Sequence, residues 1–327
     1  MNFKFGIVLL FVISSCSSNM DFNYVVNDPV LINKSEKNEI SIITYNTQTF
    51  FGKEESKLNG LLKYLNSEPY DFVTLQELFD ENNRNSFVRN LSKSSHISIT
   101  PRVDYSSFPS MIFQDAGLFS ASKYPLVNLS NLDFGENTYI NNGVIHQMLF
   151  KEVSVSLDFL SNKSVLGTLH QVNDSTKLFL FTTHLQALSS RKHKNNQLKQ
   201  IKAFIENAII VLLQNNVVTN PKNLIVLLTG DFNLDAYSEN DIERVQKFLG
   251  QPRDLYQEFN SEIQEYTLIK KFIGLYRRVD YIFAYDYIGK IPLRKVGVKS
   301  INVTDVVDKD KESVSDHMAI KATLILD

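Results

Sequence analysis

The chain has 327 residues, 43% of them apolar, with 34 basic against 36 acidic side chains and a net charge of −2. That is enough apolar residue for a sizeable core, and the near-balance of charge argues against a broad electrostatic footprint for nucleic acid. The one cysteine, Cys16, excludes an intramolecular disulfide.

At the N-terminus Lys4 precedes an apolar run from Phe5 to Ile13, followed by Ser14-Ser15-Cys16. A basic start, a short apolar stretch and small residues form a secretion signal. The run falls short of the roughly 20 residues that span a bilayer. Ile13-Ser14-Ser15-Cys16 also resembles a bacterial lipobox, in which the cysteine becomes the acylated first residue. Cleavage with an incidental Cys16 is the alternative. The expected product is an exported, membrane-anchored lipoprotein, or otherwise a secreted protein. Residues 1–15 are then a leader, 16–37 a polar tether and 38–327 one domain, with no linker, repeat or low-complexity tract inside it.

Glu39 to Tyr45 is β-branched and apolar on both faces, which predicts a buried strand. Leu58, Leu61, Leu62 and Leu65 follow at helical spacing. After Pro69, Phe72 to Leu75 predicts the next strand, and Gly117–Ala121, Val144–Phe150, Val165–Leu169 and Leu178–Thr183 predict more. Leu198, Ile201, Ile205, Ala208, Ile209 and Leu212 mark a long helix; Leu224–Leu228, Val279–Ala284 and Ala319–Leu326 are the last strands. Strands alternating with helices make this an α/β chain.

Short polar strings sit at the C-terminal ends of these apolar runs: Thr44-Tyr45-Asn46, Leu75-Gln76-Glu77, Thr182-Thr183-His184, Gly230-Asp231-Phe232-Asn233, Arg278-Val279-Asp280-Tyr281 and Ser315-Asp316-His317. Carboxylates, carboxamides and imidazoles bind a hard divalent cation and move protons, so their repetition at strand ends predicts one polar site on the rim of a sheet core. His96, His146, His170 and His193 lack metal-ligand spacing and read as structural. The basic cluster Lys270, Lys271, Arg277 and Arg278 reads either as a solvated loop or as a substrate contact.

The order and wording of these strings resemble the endonuclease/exonuclease/phosphatase superfamily, the DNase I-like metal-dependent phosphodiesterases, from about Glu39 to Leu326. The resemblance implies a four-layer sandwich of two mixed β-sheets flanked by helices. It implies Mg2+ as cofactor, with Mn2+ or a second divalent cation as alternatives, held by Glu77, Asn46 and Asp316. It gives His317 the role of general base, oriented by Asp280. Asp231 orients water, Asn233 donates to the phosphoryl group, and His184 contacts phosphate with Asp115 supporting it.

Three strings resemble the neutral sphingomyelinases within that superfamily: Thr183-His184-Leu185-Gln186-Ala187, Gln197 to Ile205, and Gln76-Glu77-Leu78-Phe79-Asp80. They imply a phospholipid headgroup ester as substrate, with Phe79 and Gln186 as substrate contacts and a monomeric enzyme reaching its membrane through lipid at Cys16. Phe79 reads equally as core packing. Secreted members carry exposed aromatics on a membrane-contacting hairpin; Asp286 to Val307 has no such apolar tip, and Phe108 to Phe113 reads as a contact loop or a buried segment. A surface nuclease, or another phosphoesterase, is the alternative activity. An inactive member acting as a binding module is a further one, which the complete set of catalytic residue types disfavours.

Overall fold

The computed structural model describes residues 38–49, 55–68, 70–79, 81–91, 98–100, 115–150, 152 and 161–326. The leader, Cys16, the tether, Asp80, His96 and Phe108–Phe113 lie outside the described residues.

The first half of the chain runs β1 (Glu39–Thr49), α1 (Glu55–Ser67), β2 (Phe72–Leu78), α2 (Glu81–Leu91), β3 (Ser98–Ile99), β4 (Phe119–Ser122), β5 (Thr138–Asn141), β6 (Val144–Leu149), β7 (Lys163–Gln171) and β8 (Lys177–His184). The second runs α3 (Arg191–Gln214), β9 (Leu224–Asp231), α4 (Glu239–Leu249), β10 (Arg253–Asp254), α5 (Leu255–Phe259), β11 (Leu268–Lys270), β12 (Leu275–Arg277), β13 (Asp280–Ala284), β14 (Tyr287–Ile288), β15 (Ile291–Pro292), β16 (Val296–Thr304) and β17 (Ala319–Leu326). One mixed sheet has the order β16-β17-β1-β2-β4-β3, the other β10-β13-β9-β8-β7-β6-β5.

Side-chain alternation along the strands builds the layers. Ile40 and Ile42 of β1 point between the sheets, where they meet Phe72, Leu178, Leu180, Ile225, Leu227, Ile282 and Ile320. Ile43 and Tyr45, on the opposite face of β1, pack under Leu58, Leu61 and Leu65 of α1 and Phe87 and Val88 of α2. On the far side, Phe179, Phe181, Val226 and Leu228 pack against Leu198, Ile201, Phe204 and Ile205 of α3. The result is helices, sheet, sheet, helices, the four-layer sandwich that the family resemblance implied. Each fully buried Ile, Leu or Phe stabilises it by roughly 1.5–3 kcal/mol. No described helix is long and apolar enough to cross a membrane.

Towards the C-terminal ends of the central strands the space between the sheets turns polar. Thr74 and Thr229 share a hydrogen bond of 3.0 Å between their hydroxyls, and Gln76 Nε2 donates to Thr44 Oγ1 (3.2 Å) and Thr182 Oγ1 (3.0 Å). Buried amide and hydroxyl groups persist only when paired, so this cluster fixes the two sheets against each other beneath the rim.

Candidate active site

The rim gathers residues from both sheets. In the first, β1 and β2 run parallel with Asn46 opposite Gln76, which places Glu77 one residue further on at the strand end. In the second, His184 of β8 lies opposite Asp231 of β9, and Asp231 lies opposite Asp280 of β13. His317 lies two residues before the first-sheet strand β17, yet its Nδ1 lies 2.9 Å from Asp280 Oδ2 of the second sheet.

Asp231 is the hub. Its Oδ2 accepts from Asn46 Nδ2 at 2.9 Å and lies 3.6 Å from His184 Nε2 and 3.7 Å from His317 Nε2. Its Oδ1 accepts the backbone N–H of Asn233 at 2.8 Å. Burial, then the neighbouring Asp280 charge, push the Asp231 carboxyl up to about 7. Burial opposes the charge on His317, but Asp280 and then Asp231 overcome it and raise the imidazole to about 10. His184 moves the other way: burial, then the cations Lys163 and His317, hold it well below its ordinary value and keep it neutral.

Glu77 has a left-handed backbone (φ 54°), uncommon for a residue with a side chain, and strain of this kind collects at functional sites. It turns the carboxylate towards His184 Nε2, 3.5 Å from Oε1. Burial raises the Glu77 carboxyl; Lys163, His317 and Asn46 oppose that rise. A desolvated carboxylate beside a carboxamide is an oxygen donor set that fits a hard divalent cation. Asp231, Asp280 and His317 form a second group whose donor atoms lie within 4.8 Å of one another, but the Asp280 bond already occupies His317 Nδ1.

The structure brings some of the residues named from the sequence together and places others elsewhere. Asn46, Glu77, His184, Asp231, Asp280 and His317 converge on one rim. Asp316 is adjacent; its carboxylate pairs with Lys270 Nζ at 3.2 Å, and its backbone N–H donates to Gln48 Oε1 at 3.3 Å. Asn233 Nδ2 donates to the Leu185 carbonyl at 2.9 Å, leaving its second amide proton for a ligand. The support expected for His184 from Asp115 is not seen. Asp115 pairs with Arg84 at 3.1 Å and accepts the Gly117 N–H at 2.8 Å, while His184 Nδ1 has no hydrogen-bond partner among the described residues. Phe79 is buried, and a Cβ on Gly117 would come within 2.8 Å of its ring, so it packs in the wall and offers no open face to a headgroup. Gln186 is also buried. Its carboxamide accepts from Glu152 N (2.8 Å) and donates to Glu152 O (2.7 Å), so it braces that segment instead of facing the rim as an open substrate contact. His146 and His170 are core residues whose burial lowers them to about 3 and about 4.

Two residues near the site had no signal in the reading of the strand ends. Gln48, at φ 48°, donates its backbone N–H to Asn46 Oδ1 (3.1 Å) and so links Asn46 to Asp316. Lys163, at the start of β7, is fully buried; its ammonium donates to Ser161 Oγ at 3.1 Å, and its charge acts on Glu77 and His184. A buried lysine has the composition of any strand-edge lysine in sequence; only the fold turns it inward.

Gly230 lets His184 and Asp231 approach. At φ 130°, a Cβ there would overlap the Thr183 carbonyl oxygen across the β8–β9 ladder. Gly230→Ala is expected to lower unfolding free energy by at least about 2 kcal/mol, because both the backbone conformation and the ladder must yield. A denaturation midpoint equal to the parent's would show that the ladder accommodates the methyl group.

The family model described as Endonuclease/Exonuclease/phosphatase family 2 matches residues 43–265. The chain belongs to that family. An uncharacterized protein of Dictyostelium discoideum is 26% identical over 196 residues, which is 54% of this chain and 15% of that protein's length. Among solved structures, sphingomyelinase C from Streptomyces griseocarneus superposes with a TM-score of 0.60 at 17% identity, over 87% of this chain and 99% of the other. A mutant of beta toxin from Staphylococcus aureus with bound magnesium ions gives 0.54 at 20% identity over 87% and 99%. D. rerio TDP2 complexed with single strand DNA product gives 0.56 at 18% identity over 88% and 98%. At 17–20% identity these three structures share this chain's fold.

Proposed function

We propose that this chain is a Mg2+-dependent phosphodiesterase that hydrolyses a phospholipid headgroup ester. The observation that carries the hydrolytic reading is the 2.9 Å Asp280–His317 bond, with His317 Nε2 and His184 Nε2 both turned to Asp231 on the rim that Glu77 shares. Glu77, Asn46 and Asp316 would hold the cation, whose chemistry when bound is Lewis-acid polarisation of a phosphoryl oxygen. His317 Nε2 accepts a proton from the attacking water, and Asp280 holds the ring in the tautomer that can do so. Asp231 orients that water. The free amide proton of Asn233 and the buried imidazole of His184 face the growing negative charge on phosphate and leaving oxygen.

For the substrate, support comes from the Thr183–Ala187, Gln197–Ile205 and Gln76–Phe79 strings, the near-neutral net charge of −2, and the likeness to a sphingomyelinase C. The likeness to a TDP2 complexed with single strand DNA product keeps nucleic acid as the competing substrate. Parallel assays on sphingomyelin vesicles and plasmid DNA, each with Mg2+ and with EDTA, decide between them. Release of phosphocholine that EDTA abolishes is the expected result. DNA nicking without lipid turnover would move the chain to the nuclease reading. Export and acylation at Cys16 belong to the same proposal: Cys16→Ala is expected to release the protein from the membrane fraction or block its processing, and unchanged partitioning would sink it.

A further inference from the structure

β11 and β12 belong to neither large sheet. They form a two-stranded ribbon of their own, joined by a 3-10 turn at Lys271–Ile273 and closed by Gly274 at φ 64°. Phe272 at the tip is fully exposed and Ile273 is 66% exposed. Tyr276 on the following strand is 47% exposed and stacks edge-on against Tyr266, which meets Tyr237 in the same way. Lys271 and Arg277 flank the tip in solvent, Lys270 turns back to pair with Asp316 at 3.2 Å, and residues 268–277 contain no acidic side chain. This is the basic cluster of the sequence, now placed: Arg278 is buried against Asp254 and three tyrosines, while Lys271 and Arg277 flank an apolar point.

The ribbon is fastened to the catalytic histidine's segment. Leu268 forms an isolated bridge with His317, Ile269 N donates to Asp316 O at 3.0 Å, and Met318 N donates to Thr267 O at 2.6 Å. The base of the ribbon is therefore hydrogen-bonded directly to the segment that carries His317.

An exposed aromatic and aliphatic pair, a tyrosine one step behind, and cations around the base match the layers of a lipid interface: acyl boundary, headgroups, phosphates. A nucleic-acid platform would use rings on which bases stack, and Ile273 has no such face. We propose that the Leu268–Arg277 ribbon seats the enzyme on a phospholipid bilayer, Phe272 and Ile273 entering the interface while Lys271 and Arg277 meet lipid phosphates. The purpose of this seating rests on the phospholipid reading above; the binding itself does not require it. A tip of two side chains holds weakly and reversibly, which lets the rim sample the surface repeatedly.

The chain contains no tryptophan, so Phe272→Trp places the only indole at the tip. With vesicles of phosphatidylcholine and a minority of phosphatidylserine, its emission is expected to shift to the blue and to be quenched by brominated acyl chains. The readout is local, so attachment elsewhere on the chain does not disturb it. Phe272→Ala with Ile273→Ala is expected to cut turnover of phospholipid in vesicles by about tenfold or more, while turnover of soluble bis-p-nitrophenyl phosphate stays at the parent's level. Water-like indole emission at saturating vesicles overturns the inference, as does quenching by single-stranded oligonucleotide in place of vesicles. The two readings fail separately. A tip that enters vesicles without phospholipid cleavage sinks the substrate proposal alone; phospholipid cleavage indifferent to the double substitution sinks the seating alone.

Discussion

His317→Ala is expected to lower turnover by roughly 10²–10⁴-fold, the contribution of a positioned general base. The fold should survive, checked by near-ultraviolet circular dichroism, although removing the imidazole leaves Asp280 buried without its partner and costs stability. The pH profile gives a sharper reading. Against the opposing effect of burial, Asp280 and Asp231 raise His317 to about 10 in the cation-free chain, from an ordinary 6.5. The base acts only after losing that proton, so the acidic limb of the rate profile lies alkaline of 6.5. A cation at Glu77, whose carboxylate senses the His317 charge, would draw the limb of the loaded enzyme down from about 10. Asp280→Asn should move it to lower pH and slow turnover, because the amide cannot hold the imidazolium that forms. The folding contribution has the matching sign: a raised imidazole stabilises the fold fully below pH 6.5, and that stabilisation is lost as pH rises through about 10. A limb that ignores Asp280→Asn, or a His317→Ala enzyme with more than about a tenth of parental turnover, would remove His317 from its role.

Glu77→Gln is expected to abolish most activity by loosening the cation, with Mg2+ affinity falling by at least about 10²-fold in titration calorimetry. Its effect on stability has the opposite sign. Burial raises the Glu77 carboxyl, so the charged form is disfavoured in the folded, metal-free chain; its contribution is complete below the ordinary carboxylate value and is lost as pH rises through the raised one. A neutral isostere removes that cost. In EDTA at neutral pH the thermal midpoint of Glu77→Gln should equal or exceed the parent's, while in excess Mg2+ the parent should gain more. Undiminished calorimetric affinity would transfer the cation to Asp231, Asp280 and His317, the other donor group.

What the sequence disclosed followed from how strongly each segment was patterned. β1, β2, β8 and β9 are continuous apolar runs ending in polar strings, so strands and rim residues were legible together. Strand ends extended further than expected, β8 to His184 and β9 to Asp231, because the rim residues still pair in the ladder. β16 was not legible: it pairs only with β17, and most of its side chains are partly exposed, so no apolar run marks it. The β11–β12 ribbon is too short for periodicity to register. Roles depending on a third dimension were the least legible. Phe79 and Gln186 follow the catalytic strings closely, yet one packs on Gly117 and the other turns to Glu152. Lys163 and Gln48 carried no cue, because nothing in their neighbours tells which way a single side chain points at a strand terminus.

The Asp280–His317 bond and the Asn46–Asp231 bond both span the sandwich, joining a residue of the first sheet or its immediate flank to a strand of the second. Neither sheet holds a working half-site. Catalysis is therefore a gauge of sheet-to-sheet contact, more sensitive than any signal from helix or strand content. In a denaturant series the rate should fade as the layers begin to part, while each sheet still keeps its own ladder. A cut between β6 and β7 divides both sheets and leaves Asn46 and Glu77 on one fragment and His184, Asp231, Asp280 and His317 on the other, so each should be silent alone and activity should return only on mixing.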